Sequence, residues 1–357
     1  MRVLLFSDHH AHSWKPYSNI LPEETRLQDG INVLKQITRM AKDKNVDVIL
    51  FAGDMFHARG TIHVKTFNAV FEEIAKMSMY ATVGLLVGNH DQMNRQGDIH
   101  SVYALGSIVT VMSKPGWYQL TPKHSSFKLN VFAVPYHPVK DDILAGIDEG
   151  VKTHPGKLAP NIMLGHFGID GAVVGSNFVL VDKSAVSAAQ LKFQEFDEVF
   201  MGHYHEPQKI APNARYLGAT HHHNWGDVGS ERGCWLWDTG EKDEYFDPQL
   251  VPLVYPRFIA MTNEDRGVDV EDCYVKIKQT APCSDRSQFE QALMKGGARV
   301  VEWELDSIDG FSVSYTGDFR PGMDYEEMVE SYVRLGDSIL DEDTLIDVGK
   351  SIIRQVS

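Results

Sequence analysis

Eight residues of the kinds that bind metals or move protons stand directly behind short apolar runs in this chain. Asp8 and His10 follow Val3–Phe6. Asp54 follows Val46–Ala52 through Gly53, and Asn89 and His90 follow Ala81–Val87 through Gly88. His166 follows Asn161–Leu164 through Gly165, and His203 and His205 follow Phe196–Met201 through Gly202. One Asp or His behind a strand is ordinarily a turn residue or a satisfied polar group. Several runs that end alike ask for a common purpose. Imidazoles, carboxylates and one amide oxygen gathered at one place are a ligand set for Mn, Fe or Zn. No thiolate takes part, which argues against a structural zinc site. Asp8, His10, Asp54, Asn89, His166, His203 and His205 offer too many groups for one ion and enough for two. Two ions sharing a carboxylate clamp a phosphoryl group and an attacking hydroxide.

The elements that must position these residues follow from periodicity. In extended chain, residues two apart point the same way. Asp8 and His10 are therefore expected to face one metal with His9 turned away, and His203 and His205 to share a side. Residues 11–22 read as a loop over the site. Leu27, Ile31, Leu34, Ile37 and Ala41 recur at helical spacing within 23–44, and Val64, Phe67, Val70, Phe71 and Ile74 within 63–77. The order β-α-β-α-β with near-continuous apolar strands predicts a parallel sheet covered on both faces. Right-handed crossovers then bring the first three polar tips to one sheet edge, where open α/β sheets bind ligands. A glycine before most tips lets the backbone turn sharply. A short helix near 98–106, shorter strands within 108–134 and a helix at 139–149 complete the middle of the chain.

At 357 residues, 43% hydrophobic and 23% charged, the chain is a globular protein with room for a large domain and a small one. The longest apolar runs are strand-length, so no membrane-spanning helix and no membrane partner are expected, and the start resembles no signal peptide. The three cysteines, Cys234, Cys273 and Cys283, have no paired spacing and read as buried thiols in a reducing compartment, the cytoplasm. The net charge of −15 argues against electrostatic coating of nucleic acid. Residues 251–357 hold 11 Lys/Arg and 21 Asp/Glu, so most of the excess lies in the last third. A boundary near Pro252 and Pro256 leads into strands at 273–280 and 298–305, helices at 284–296, 324–335 and 341–355, and so a small α/β module.

The ordered pattern Asp-x-His, Gly-Asp, Gly-Asn-His-Asp, Gly-His and Gly-His-x-His over residues 1–240 resembles the calcineurin-like metallophosphoesterases. The resemblance implies an α/β fold, a β-sandwich with flanking helices, followed here by a small C-terminal α/β capping domain. It implies that Asp8, His10 and His205 bind one metal, that Asn89, His166 and His203 bind the other, and that Asp54 bridges. His90 would contact phosphate and protonate the leaving oxygen, with Asp91 orienting it.

Gly53-Asp54-Met55-Phe56-His57 departs from the Gly-Asp-x-Val-Asp-Arg-Gly of protein phosphatases and is similar to SbcD-type DNA nucleases, where a residue at the His57 position supports the active site. Arg215–Thr220, Gly226-Asp227 and Arg232–Trp235 resemble the same branch. The compact length resembles phage-encoded members, which would act in the host cytoplasm. The resemblance implies a DNA exonuclease and single-strand endonuclease using two divalent ions, foremost Mn2+, with Mg2+, Fe2+ or Zn2+ as other candidates. It also implies an SMC-like, SbcC-type ATPase as partner, and a homodimer paired through parts of 64–77 and 97–106. The domains would be a nuclease domain at 1–257, a DNA-capping domain at 258–335 and an ATPase-docking helix in 336–357. A phosphatase or cyclic-nucleotide phosphodiesterase is the alternative. His221-His222-His223 reads as a polar loop beside the site or as a DNA or phosphate contact, and Lys15, Arg59, Lys65 and Arg95 as local basic groups near strand tips.

Overall fold

A computed structural model describes residues 1–14, 21–22, 25–94, 97–124, 128–156, 159–175, 178–179, 185–239, 247–280, 283, 285–304, 326, 329–330, 333–334 and 341–356. Lys15 and Arg95 lie outside the described residues, as does most of the stretch between 305 and 340. The chain divides into two compact units, Met1–Trp303 and Glu304–Ser357.

In chain order the first unit runs β1 (Arg2–Phe6), α1 (Thr25–Asp43), β2 (Val48–Phe51), α2 (Val64–Tyr80), β3 (Thr82–Leu86), β4 (Thr110–Met112), β5 (Gly116–Leu120), β6 (Leu129–Val134), α3 (Lys140–Lys152) and β7 (Asn161–His166). It continues with β8 (Val173–Gly175), β9 (Phe178–Val179), β10 (Glu198–Gly202), β11 (Gln208–Ala211), β12 (Ala214–Tyr216), β13 (Gly233–Asp238) and β14 (Gln249–Pro252). The last part holds β15 (Phe258–Thr262), β16 (Tyr274–Lys278), α4 (Arg286–Lys295) and β17 (Val300–Glu304). In the second unit α5 spans Glu342–Val356, and the described positions of the helix expected at 324–335 (326, 329–330 and 333–334) are helical.

Two six-stranded sheets stack face to face. The first has the order β14-β13-β1-β2-β3-β4, the second β11-β12-β10-β7-β6-β5. β1 to β4 run parallel, and β13 and β14 add an antiparallel edge. The period of two assigns each face. Leu4, Phe6, Ile49 and Phe51 pack beneath α1 and α2 with Leu34, Ile37, Val70 and Ile74. Val3, Leu5, Val48 and Leu50 pack between the sheets against Val131, Leu164 and Phe200. Strands buried on both sides read as continuous apolar runs. α3 covers the outer face of the second sheet, where Ile143 and Ile147 meet Phe132 and Met163. The fold is thus an α/β sandwich with flanking helices. The covering layer on one face of the first sheet is the second sheet rather than more helices.

Beyond this sandwich, β15, β16 and β17 form a three-stranded sheet with α4, closed by Val275, Ile277, Met261 and Phe289. It belongs to the same compact unit as the sandwich. The helix expected near 98–106 is a turn followed by a 3-10 helix, Tyr103–Ser107. The Asn94 side chain bonds Asp98 and the Gly97 amide, and such local bonds compete with helix formation. Cys234 and Cys273 are buried, whereas Cys283 is only half-buried. No helix among the described residues is long and apolar enough to cross a membrane.

Candidate metal centre

The loops leaving β1 and β2 stay hydrogen-bonded after the strands end. The amides of Asp8, His10 and Ala11 donate to the carbonyls of Gly53, Asp54 and Met55. Asp8, His10 and Asp54 hold left-handed backbone, with φ of 50°, 47° and 64°, and His203 lies at 104°. Asp8 and His10 therefore share a side through left-handed turns, not through the alternation of an extended strand. Left-handed backbone is costly for residues with a Cβ and gathers at functional sites. Gly53, at φ 99°, and Gly88 let the β2 and β3 tips meet. A Cβ on Gly53 would overlap the His166 ring and the Gly88 backbone, and one on Gly88 would overlap Asp54.

Two clusters of donor atoms result. His205 Nε2 lies 3.2 Å from His10 Nε2. Together with an Asp8 oxygen these residues offer ligand atoms that all lie within 4.8 Å of one another, a spacing that could hold a metal ion. On the other side, Asn89 Oδ1 is 3.0 Å from His166 Nε2 and 2.9 Å from His203 Nδ1. Asp54 stands between the clusters, with Oδ2 3.6 Å from His10 Nε2 and Oδ1 3.5 Å from His166 Nε2. The structure thus brings together all seven expected ligands.

The side chains present suit divalent cations. Asp8 and Asp54 are buried, and His10 and His166 lie within ion-pair distance of Asp54. Buried carboxylates without a cationic partner are costly. Burial raises the Asp8 carboxyl, and the charge of Asp54 adds to that rise. Burial opposes charge on His166 too, yet Asp54 and Asp8 hold its pKa up at about 9. Against burial, His166 and His90 keep Asp54 down at about 2. The protonated His166 ring thus offers these carboxylates the positive charge that a cation would supply. The tautomers agree as well. His166 donates Nδ1–H to the Ala52 carbonyl at 2.6 Å, and His205 Nδ1 meets Asp227 at 3.1 Å, so each turns Nε2 inward. Metal-binding histidines are oriented in this way by carbonyl or carboxylate partners.

His90 and His57 lie at the edge of this set. Their rings stack at 5.1 Å, and each is close to His10, at 4.7 and 5.4 Å. His90 donates Nδ1–H to the His57 carbonyl at 2.7 Å, leaving Nε2 available. Burial, with the neighbouring His90, lowers the His57 pKa to about 4. His10, His57 and His90 also form a group with metal-ligand spacing.

The expectation that Asp91 orients His90 is corrected. Both Asp91 oxygens are taken by the amides of Gly88, Asp54, Met55 and Phe56, with Ser101 Oγ 3.3 Å away. Asp91 staples the β2 loop to the β3 loop, and the His57 carbonyl orients His90.

His221, His222 and His223 do form a polar loop beside the site, and all three are buried rather than displayed to a DNA strand. His223 Nε2 donates to the Asp8 carbonyl at 2.9 Å, and His222 bonds the Ser230 carbonyl and the Phe258 amide. Buried rings find such partners because an unpaired polar atom is expensive. His9 turns away from the donor set to Thr220 Oγ1, at 3.0 Å. Thr220, Asp227 and Arg232 lie in stretches that resemble the nuclease branch and His223 in the loop beside the site, but the sequence assigns none of them an orienting role. Asn224 and Asp227 also carry the spacing of a capping box, which the structure forms. Arg59 and Lys65 are exposed beside the β2 loop.

The family comparison agrees with this geometry. The family profile described as "Calcineurin-like phosphoesterase" matches residues 1–207. Among solved structures, the chain is similar to GAP50, the anchor in the inner membrane complex of Plasmodium, at 14% identity and TM-score 0.39, covering 71% of this chain and 89% of that one. It is also similar to the purple acid phosphatase PPD1 of yellow lupin (Lupinus luteus) at 13% and 0.44, covering 66% and 49%. A dimetal phosphatase from Danio rerio matches at 10% and 0.37, covering 66% and 92%. Likenesses this distant carry no functional argument. The family match spans more than half of the sequence and every loop of the donor set up to His205, so the chain belongs to the calcineurin-like phosphoesterases, metal-dependent hydrolases with a dinuclear centre.

Proposed function

We propose that this protein is a dinuclear-metal phosphodiesterase acting on DNA, an exonuclease and single-strand endonuclease of SbcD type. Asp8, His10 and His205 would hold one ion and Asn89, His166 and His203 the other, with Asp54 between the two sets. Bound there, the ions would supply Lewis-acid polarisation of the phosphoryl group and an activated water. The mixed oxygen and imidazole donors suit Mn2+ foremost. His90 presents Nε2 to the leaving oxygen while the His57 carbonyl fixes its other nitrogen. His57 stacks on His90 and keeps its face from tilting.

The observation that carries the choice of a diester is His57. It stands beside His90 as a ring that burial keeps neutral near pH 7. A phosphomonoester dianion is best met by arginine clamps. Among the described residues, Arg232 is committed to Glu206 and Asp227, and Arg26 Nη2 donates to the His223 carbonyl. A neutral His57 ring on the rim suits a singly charged diester. The nuclease branch further suggests a capping role for residues 258–335, a homodimer, and an SMC-like ATPase partner met by the C-terminal helix.

The test is release of nucleotides from linear DNA by pure, Mn2+-loaded protein. No degradation, even with a co-purifying coiled-coil ATPase, would refute the nuclease. Fast turnover of a cyclic nucleotide or a phosphoprotein with DNA left intact would establish the phosphatase or cyclic-nucleotide phosphodiesterase instead.

A further inference from the structure

We propose that Asp227 is a positioning residue for the Asp8–His10–His205 ion, and that the three-stranded C-terminal sheet anchors it. The proposal rests on the reading of Asp8, His10 and His205 as one ligand set. Asp227 is 3% exposed and lies outside the motifs that supply the donors. Its Oδ1 is 3.1 Å from His205 Nδ1 and 3.3 Å from Arg232 Nη2. Its Oδ2 accepts the amides of His223 and Asn224 at 2.8 and 3.1 Å. With His205 Nδ1–H donated to this carboxylate, the lone pair of Nε2 faces His10 and Asp8. Arg232, fully buried, holds the carboxylate in place.

The same loop reaches Asp8 a second time, because His223 donates to the Asp8 carbonyl. Two of the three ligands of one cluster are thus steered by residues 223–227. None of the bonds described for Asp227 reaches Asn89, His166 or His203. The loop in turn is held from outside the sandwich. Trp225 packs edge-on to Phe258 at 4.8 Å, Lys276 lies 4.4 Å over the Trp225 ring, and the Phe258 amide donates to His222 Nδ1 at 3.1 Å. β15 and β16 therefore buttress the orienter of one ion. Losing a group that orients a metal-binding imidazole typically costs about 10–100-fold in metal affinity.

The experiment compares Mn2+ binding by wild type, Asp227→Asn, Asp227→Glu and Trp225→Ala, using calorimetry and bound-metal analysis at graded free Mn2+. Spin-coupled Mn–Mn resonance reports double occupancy. Asp227→Asn is expected to keep one ion at wild-type affinity, to bind the other about 10–100-fold more weakly, and to lose the coupled signal. Asp227→Glu should recover most of the loss, and Trp225→Ala should show a smaller loss of the same ion. Two ions bound with wild-type affinity by Asp227→Asn, or equal weakening of both, overturns the proposal. Should that variant not fold, the histidine 15N spectrum of Zn2+-loaded wild type decides. His205 protonated at Nδ1 supports the role, and protonation at Nε2 overturns it. Wild type that binds no metal at all refutes the ligand reading itself.

Discussion

Replacing Asp91 by Asn tests whether this carboxylate staples two loops or serves catalysis through His90. Oδ2 accepts from Asp54 and Gly88, and Oδ1 from Met55 and Phe56, at 2.9 to 3.2 Å. Asn supplies one oxygen, so either orientation leaves two buried amides facing an NH2 group. Each unsatisfied buried donor costs about 1–3 kcal/mol, giving roughly 2–6 kcal/mol. A countervailing effect exists. Burial, aided by the charge of Asp54, pushes the Asp91 carboxyl up to about 7, so removing its charge relieves some repulsion. The expected net loss is then about 3 kcal/mol. The assay pairs urea unfolding of chelator-treated protein with amide hydrogen exchange, which reads the Asp54, Met55 and Phe56 amides individually. Those amides should exchange faster in step with the loss. Asp91→Asn within about 0.5 kcal/mol of wild type, with unchanged exchange at these positions, would refute the staple.

Other outcomes follow from the same geometry. His90→Ala should abolish hydrolysis yet retain two bound ions by metal analysis, and loss of an ion would mean that His90 is a ligand. Gly150, on α3, faces the Phe132 ring so closely that a Cβ would overlap it. Gly150→Ala should cost about 1–3 kcal/mol in thermal unfolding through overpacking, and an unchanged Tm would contradict that packing. Burial raises Glu198 from 4.5 to about 7 despite its Arg215 partner, with Asp247 raising it further and Lys209 opposing. A carboxyl whose folded pKa lies above its unfolded value favours the fold when protonated. Its contribution is complete below 4.5 and declines as pH rises to about 7, by an amount on the order of 2–3 kcal/mol. Glu198→Gln should flatten stability across that window, and parallel pH profiles for variant and wild type would refute it.

Much of this site is legible in the linear sequence because strand tips of a parallel sheet gather at one edge. The apolar runs before Asp8, Asp54, Asn89, His166 and His203 are recognisable since both faces of their strands are buried. What escapes a linear reading is backbone handedness and long-range pairing. The φ of 47° at His10 and 104° at His203 arises from bonds between loops, which periodicity does not encode. The adjacency of Asp91 to His90 suggested a dyad, while its partners lie 35 to 37 residues away as well as at Gly88. His221–His223 reads as a polar loop beside the site, but the sequence is silent about its burial and about which carbonyls its rings meet. Asp227 belongs to the same category, a residue defined by what folds over it.

The central claim is a pair of ions bridged by Asp54, and anomalous diffraction from Mn2+-soaked crystals measures it most directly. Two Mn peaks are predicted, one bounded by Asp8, His10 and His205, the other by Asn89, His166 and His203, with an Asp54 oxygen directed at each. A single peak, or Mn held by His10, His57 and His90 with Asp54 unliganded, would contradict the account.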